Sequence, residues 1–256
     1  MIHKTAIIEP GAEFGEGVEI GAYSIIGSQV TIGSHTKIGP HVIIKGPTQI
    51  GERCTIFPFS SLGDIPQDLK YKGEETQLLI GNNNVIREYV TINRGTEEGG
   101  GKTFIGNNNF LMAYSHIAHD CTISNFVIMA NSATLAGHIT IEDYAIIGGL
   151  VAIHQFVKIG RNAFIGGCSA VPQDVPPYCL AVGNRARLYG LNLTGLKRHN
   201  FSPQTLKNLK DAYRIIFRSG LTLKEALQQV EQKITNSPEV NHFIEFIKKS
   251  KRGIIR

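Results

Sequence analysis

Large aliphatic residues, with one phenylalanine among them, recur every six positions along most of this chain. The series begins Ile2, Ile8, Phe14, Ile20, Ile26 and runs on to Leu62. Its phase resumes at Ile80, Ile86 and Ile92, and after one shift it continues from Ile105 through Ile117, Leu135 and Ile153 to Val171. Two residues before the aliphatic commonly sits something small or β-branched (Val18, Ser24, Val30, Thr36), and glycine often follows it (Gly21, Gly27, Gly33, Gly39). A six-residue period fits neither a 3.6-residue helix nor a simply alternating strand. It fits a solenoid in which each hexad supplies one short strand and one turn, with the aliphatic turned inward. On this reading the glycine tolerates the backbone conformation that each corner demands. No hexad can bury its aliphatic alone, so the core forms only when coils stack into a parallel β-helix.

The pattern lapses twice. Between Leu62 and Ile80 stands a polar segment around Gln67-Asp68-Leu69-Lys70-Tyr71, and between Ile92 and Ile105 the step lengthens across Arg94-Gly95-Thr96-Glu97-Glu98-Gly99. Both read as loops thrown out from the coil, at about 63–78 and 94–103, where binding residues tend to sit on a rigid scaffold. The repeat is expected to end near Asp174-Val175-Pro176-Pro177. From about Ser202 the periodicity turns helical: Ser202-Pro203 opens one helix that stops at Gly220, Thr222 with Glu225 forms a capping box for a second, and Ser237-Pro238 opens a third. The organisation expected is a β-helix over 1–190 and an α-helical domain over 191–256 that covers the end of the coil.

One stretch concentrates chemistry. Ser115-His116-Ile117-Ala118-His119-Asp120-Cys121 places two histidines and a carboxylate together within the repeat. If three hexads make one turn, the position above His119 one coil on is Gly137, and two coils on is Gln155. His138 and His154 each lie one residue from those points. With coils about 4.8 Å apart, His119, His138 and His154 would line one edge within about 10 Å. Three imidazoles on neighbouring coils suit a zinc site. A histidine followed by a carboxylate suits general-base chemistry instead, because Asp120 can set the tautomer of His119 and stabilise its imidazolium. Gly137 would offer a backbone N–H beside that base, as an oxyanion donor requires.

Composition narrows the field. The formal net charge of +5 is too mild to indicate nucleic acid, and no arginine–aromatic platform is present. The apolar run near the N-terminus, Ala6-Ile7-Ile8, is too short for a secretory h-region, and no stretch reaches the length of a membrane span, so a cytoplasmic chain is expected. Cys54, Cys121, Cys168 and Cys179 have no metal-ligand or redox spacing. Cys54 and Cys121 occupy a repeat position otherwise held by small residues, which reads as buried thiols rather than a disulfide.

These residues closely resemble the UDP-N-acetylglucosamine acyltransferase family, which acts first in bacterial lipid A synthesis. The resemblance covers essentially the whole chain. It rests on Gln67-Asp68-Leu69-Lys70-Tyr71, His116-Ile117-Ala118-His119-Asp120-Cys121, Leu135-Ala136-Gly137-His138, His154-Gln155-Phe156, Gly166-Gly167-Cys168-Ser169, Asp174-Val175-Pro176-Pro177-Tyr178 and Gly195-Leu196-Lys197-Arg198. It implies a left-handed winding, a homotrimer with active sites between subunits, and transfer of a 3-hydroxyacyl group from acyl carrier protein to the glucosamine 3-hydroxyl of UDP-N-acetylglucosamine. His119 would be the general base, Asp120 its orienting partner and the Gly137 N–H the oxyanion donor, with direct attack on the thioester. Asp68, Lys70, His116, His138, His154 and Gln155 would position sugar, phosphopantetheine and diphosphate, and Asn192 and Arg198 would bind the nucleotide. Gly167 matches the position that sets acyl length and, lacking a side chain, implies an open groove and a longer chain. No metal or cofactor is implied, since the donor carries its own phosphopantetheine. The basic excess would serve to steer the acidic carrier protein.

Two positions depart from the family pattern: Thr194 stands where a glutamate is usual and His199 where a second arginine is usual. They leave room for a same-fold enzyme whose UDP-sugar acceptor is an amine. A zinc carbonic anhydrase on the same solenoid and a purely structural β-helix are the other readings.

Overall fold

The computed structural model describes residues 1–256. Short strands stack into sheets of nine, eight and ten strands. Face one runs from Ile7–Ile8 to Ala170–Val171, and face two from Glu13–Phe14 to Lys158–Ile159. Face three runs from Glu19–Ile20 to Cys179–Val182, which pairs antiparallel with Arg187–Leu191. Ile7 pairs with Ile25, and Ile117 with Leu135, eighteen positions on. The result is a left-handed parallel β-helix of triangular coils, an exception to the right-handed crossover rule. Inside it Ile26, Ile32, Ile44, Leu62, Ile86 and Ile117 are completely buried, each worth about 1.5–3 kcal/mol of apolar burial.

The repeated glycines act differently from the expectation. The left-handed corner residue comes three positions after the aliphatic and, beyond Gly11 and Gly17, is not glycine: φ is 59° at Tyr23, 60° at His35, 57° at His41 and 61° at His138. Its N–H donates to the preceding coil, as His41 does to the Ala22 carbonyl at 2.9 Å, and that bond offsets the steric penalty of about 1–2 kcal/mol. The glycine directly after the aliphatic is required by close approach. A Cβ on Gly21 would stand 2.5 Å from the Pro40 nitrogen, and one on Gly148 would stand 2.6 Å from the Gly167 nitrogen.

Both insertions leave the coil at the corner between faces one and two, called the first corner: 65–76 after the strand Ser61–Asp64, and 94–101 after Thr91–Asn93. The coil also continues past 174–177, where the repeat was expected to end. Val175 still bridges Ile159, and Cys179–Val182 still pairs with the strand Phe164–Ile165.

Four helices follow: α1 Leu193–Arg198, α2 Pro203–Arg218, α3 Leu223–Lys233 and α4 Pro238–Lys248. The first begins ahead of the Ser202 start read from periodicity. Its six residues are too few to show a 3.6-residue pattern. Ser202 caps α2 by accepting from the Thr205 N–H, and Thr222 with Glu225 forms the capping box of α3. Ser237 makes no side-chain cap bond, so α4 rests on Pro238 at its start and on burial of Val240, Phe243 and Ile247. The helices meet the last coil at Tyr178, whose hydroxyl lies 3.0 Å from His242 Nδ1 and whose ring packs edge-on against Phe243. No helix is long and apolar enough to cross a membrane.

Candidate active site

The first corner collects most of the chemistry. After the two insertions, successive coils place His119-Asp120, then Gly137-His138, then Gln155-Phe156 at this edge, because Ile117 pairs with Leu135 and Leu135 with Ile153. The register puts Gly137 over His119, but His138 over Asp120 rather than over His119. His138 stacks on Phe156 of the next coil at 4.5 Å between ring centroids, and meets His119 edge-on at 5.1 Å.

His119 and Asp120 form the tightest polar contact of the corner. His119 Nδ1 lies 2.7 Å from Asp120 Oδ2. A carboxylate only accepts, so Nδ1 carries the proton and Nε2 is left as the basic atom. The Asp120 side chain is 1% exposed and fully engaged. Its Oδ1 accepts from the Thr96 N–H at 2.8 Å, and its Oδ2 accepts from the Thr96 hydroxyl at 2.7 Å. Its own N–H donates to Thr103 Oγ1 at 2.8 Å. So the 94–101 insertion folds back to hold the carboxylate that holds the His119 ring. Gly137 is glycine for a local reason, since a Cβ there would stand 2.6 Å from His119 Cε1. Its N–H makes no hydrogen bond within the chain, like the N–H groups of His119 and Gln155 at equivalent corner positions.

His116 hydrogen-bonds Thr91 Oγ1 at 2.7 Å. Burial, and then the neighbouring His119, hold its imidazole below the ordinary histidine range. His154 does not join the others. Its Nδ1 meets the Arg252 guanidinium at 2.8 Å, so three imidazoles do not converge. The metal-capable atoms that do converge, on His119, Asp120 and His138, lie within 4.8 Å of one another. Of these, Asp120 is already taken up by the Thr96 N–H and hydroxyl and by the Nδ1 proton of His119. The three-imidazole set expected for zinc is therefore not assembled within the chain, since His154 is absent from it.

Asp68 and Lys70 lie on the first insertion. They line a cavity of about 350 Å³ together with Tyr71, Glu98 and the same Thr96 that grips Asp120. Lys70 Nζ pairs with Glu98 across the two insertions at 3.2 Å, and the Asp68 carboxylate accepts the Lys70 N–H at 2.9 Å. Arg94 joins the loops from beneath, donating to the Tyr71 hydroxyl at 2.8 Å and to the Gly46 carbonyl at 2.9 Å.

The remaining predicted residues sit elsewhere on the prism. Asn192 caps α1, accepting from the Gly195 N–H and donating to the Asn162 carbonyl at the corner between faces two and three. His199, one of the two departures, meets Asn162 Oδ1 at 2.6 Å and packs edge-on against Tyr144. Exposed Arg198 makes no ion pair. Thr194 is also exposed, on α1. Gly167 is exposed at the third corner, where a Cβ would touch only Gly149. Within one chain, then, His119, Asn192 and Gly167 belong to three different corners.

The cysteines are free thiols. Burial pushes Cys121 up to about 12 and raises Cys54 and Cys179 as well, which leaves them inert. Sequence reasoning missed Thr96, Thr103 and Arg252, which reach the site from 24, 17 and 98 positions away in the chain.

Comparison with known proteins places the chain in a family. A family model described as UDP-N-acetylglucosamine O-acyltransferase, domain 2, matches residues 174–255, and one for bacterial transferase hexapeptide repeats matches 1–34 and 29–64. A protein of Thermodesulfovibrio yellowstonii named acyl-[acyl-carrier-protein]–UDP-N-acetylglucosamine O-acyltransferase is 60% identical over 255 residues, 100% of this chain and 99% of that protein. One of the same name from Syntrophobacter fumaroxidans is 53% identical over 257 residues, 100% of each. The solved structure of LpxA from Acinetobacter baumannii superposes with a TM-score of 0.97 at 48% identity, covering 100% of this chain and 99% of that one. LpxA from Bacteroides fragilis, a UDP-N-acetylglucosamine acyltransferase, does so with a TM-score of 0.98 at 45% identity, covering 100% of both. On full-length identity, fold and matching family models together, this chain belongs to the UDP-N-acetylglucosamine O-acyltransferase family.

Proposed function

We propose that the chain moves an (R)-3-hydroxyacyl group from acyl carrier protein to the 3-hydroxyl of the glucosamine in UDP-N-acetylglucosamine, the first step of lipid A synthesis. His119 Nε2 takes the hydroxyl proton as the sugar oxygen attacks the thioester carbonyl. The Gly137 N–H donates to the oxyanion. When the carbon–sulfur bond breaks, the imidazolium returns the proton to the departing phosphopantetheine thiolate, leaving an ester and a free thiol. Asp120 keeps the proton on Nδ1 and faces the positive ring. The single observation that carries this reading is the His119–Asp120 hydrogen bond at 2.7 Å beneath the unbonded Gly137 N–H. No metal or other cofactor has a part in it.

Asp68, Lys70, His116, His138, His154 and Gln155 position the sugar, the phosphopantetheine and the diphosphate, and Asn192 and Arg198 the nucleotide. Gly167 leaves the acyl groove open for a longer chain, about twelve to fourteen carbons. We infer a cytoplasmic homotrimer, because residues on three separate corners converge only if neighbouring copies bring their own corners to His119.

The test is mass spectrometry of products from UDP-N-acetylglucosamine and a panel of 3-hydroxyacyl carrier proteins, with chelator present, for wild type and His119→Ala. A 3-O-acylated nucleotide from wild type alone supports the reading, and no product at any length overturns it. An amine acceptor that outcompetes the hydroxyl would shift the assignment to the 3-amino sugar. Co-assembling His119→Ala with Arg198→Ala checks the trimer: activity returns only if a site draws on two subunits.

A further inference from the structure

The C-terminal tail returns to the first corner. The Asp174 N–H donates to the Gly253 carbonyl at 2.9 Å, and the Ile255 N–H donates to the Asp174 carbonyl at 3.1 Å. Ser250 Oγ donates to Asp174 Oδ2 at 2.6 Å, and Ile255 is buried. Asp174 stands at this corner one coil beyond Phe156, as the pairing of Ala152 with Ala170 requires. A tail so pinned carries Arg252 to His154. The guanidinium donates through Nε to the Pro172 carbonyl at 2.8 Å, and its Nη2 lies 2.8 Å from His154 Nδ1.

That contact has a chemical consequence. Arginine offers only donors, so His154 Nδ1 accepts and the ring proton resides on Nε2. The same Nδ1 lies 3.2 Å from the Gln155 carbonyl, which only accepts. Without the guanidinium, the ring would place its proton on Nδ1, donate to Gln155, and turn a bare Nε2 lone pair outward. Two tautomers therefore compete, and the tail decides between them.

We propose that Arg252 is a positioning residue that selects the Nε2–H tautomer of His154 and so makes this imidazole a hydrogen-bond donor to substrate. The inference rests on the acyltransfer reading above. Arg252 lines both a cavity of about 480 Å³ containing His154 and Arg185 and one of about 440 Å³ containing His138, Phe156, Lys158 and Lys251. A donor among cations suits a phosphate oxygen, which either the sugar nucleotide or the phosphopantetheine arm carries.

The experiment uses the full chain as wild type, Arg252→Ala, Arg252→Lys, His154→Ala and the Arg252→Ala/His154→Ala double variant. KM is measured for UDP-N-acetylglucosamine and for the acyl carrier protein thioester separately, and ¹⁵N spectra of the histidine rings report the tautomer. Arg252→Ala should raise one KM about tenfold with a smaller change in kcat, as expected for loss of one hydrogen bond to a charged acceptor. The substrate whose KM moves identifies the phosphate. Arg252→Lys, which also offers only donors, should restore most of the loss, and Arg252→Ala should add nothing in the His154→Ala background. In the spectra the His154 proton should move from Nε2 to Nδ1 on losing Arg252. Additive effects of the two alanine variants, or an Nδ1 proton in wild type, would overturn the proposal. Absence of acyl transfer by wild type overturns the functional reading instead, while the ring spectra still decide the tautomer.

Discussion

Two corners of the same prism use the same backbone to different ends. Between faces two and three, one polar side chain per coil bonds the N–H of the coil before it. Asn82 accepts from Glu52, Asn107 from Asn82, Asn125 from Asn107 and Asp143 from Asn125, at 2.7–2.9 Å. Each acceptor is consumed in holding one coil to the next. At the first corner the polar side chains are engaged with each other and with the insertions, and His119 Nε2, the Gly137 N–H and the His138 ring are left over. Groups free for chemistry remain where the repeat does not spend its polar groups on itself. The insertions make this possible, because Thr96 takes up the Asp120 carboxylate that a plain corner would have turned to a neighbouring coil or to water.

The largest break in this comparison should come from Gly137→Ala. Its Cβ would enter the space of the His119 ring, so the ring must move. Activity should fall on the order of 10²-fold, as for a misplacement of about 1 Å, while the melting curve stays near wild type. A full-rate variant would show that His119 need not lie over Gly137. Next comes Thr96→Val, which leaves buried Asp120 short of one donor. We expect about 1–3 kcal/mol of stability lost to denaturant, together with a roughly tenfold drop in kcat. Loss of stability alone would make the threonine structural.

Asn125→Ala sharpens the contrast from the other side. It removes the acceptor of the Asn107 N–H and should destabilise by about 1–3 kcal/mol, with the specific activity of the folded protein unchanged. An active-site titration alongside the denaturant curve would separate the two effects. The smallest effect expected is on pH. His116 is held below its unfolded value, so the unfolded chain takes up this proton first on acidification. Stability from this group is therefore full above the ordinary histidine range and is lost as pH falls through it toward the folded value. His116→Gln should flatten that part of the profile of melting temperature against pH, and an unchanged profile would assign the loss to other groups.

The comparison also explains what could be read early. Ile26, Ile44 and Ile117 announced the β-helix because a one-coil-thick core needs an apolar residue at every inward position, and that demand is written locally every six residues. The His119–Gly137–Gln155 column followed once three hexads were taken per coil, as the resemblance to hexapeptide proteins implies. His138 belongs to the adjacent column, over Asp120 and against Phe156, because Ile117 pairs with Leu135. The glycines after the aliphatics were visible but misread: Gly21 and Gly148 answer to the coil above them, which a local conformational argument does not contain. The helix α1 was too short to register, and its Asn192 serves first as a cap.

By itself, then, the sequence determined the period, the inward face, the two insertions and the pairing of His119 with Asp120, since each depends on residues within one or two coils. Only the tertiary structure decided which groups hold that pair in place. Thr96 reaches Asp120 because an insertion folds back, Thr103 because its strand stacks directly on the next coil, and Arg252 reaches His154 because a distant tail pairs with Asp174. The distribution of the remaining predicted residues over three corners belongs to the same class of fact. Contacts between remote segments depend on how the coil closes and where its ends return, and no periodicity along the chain encodes that.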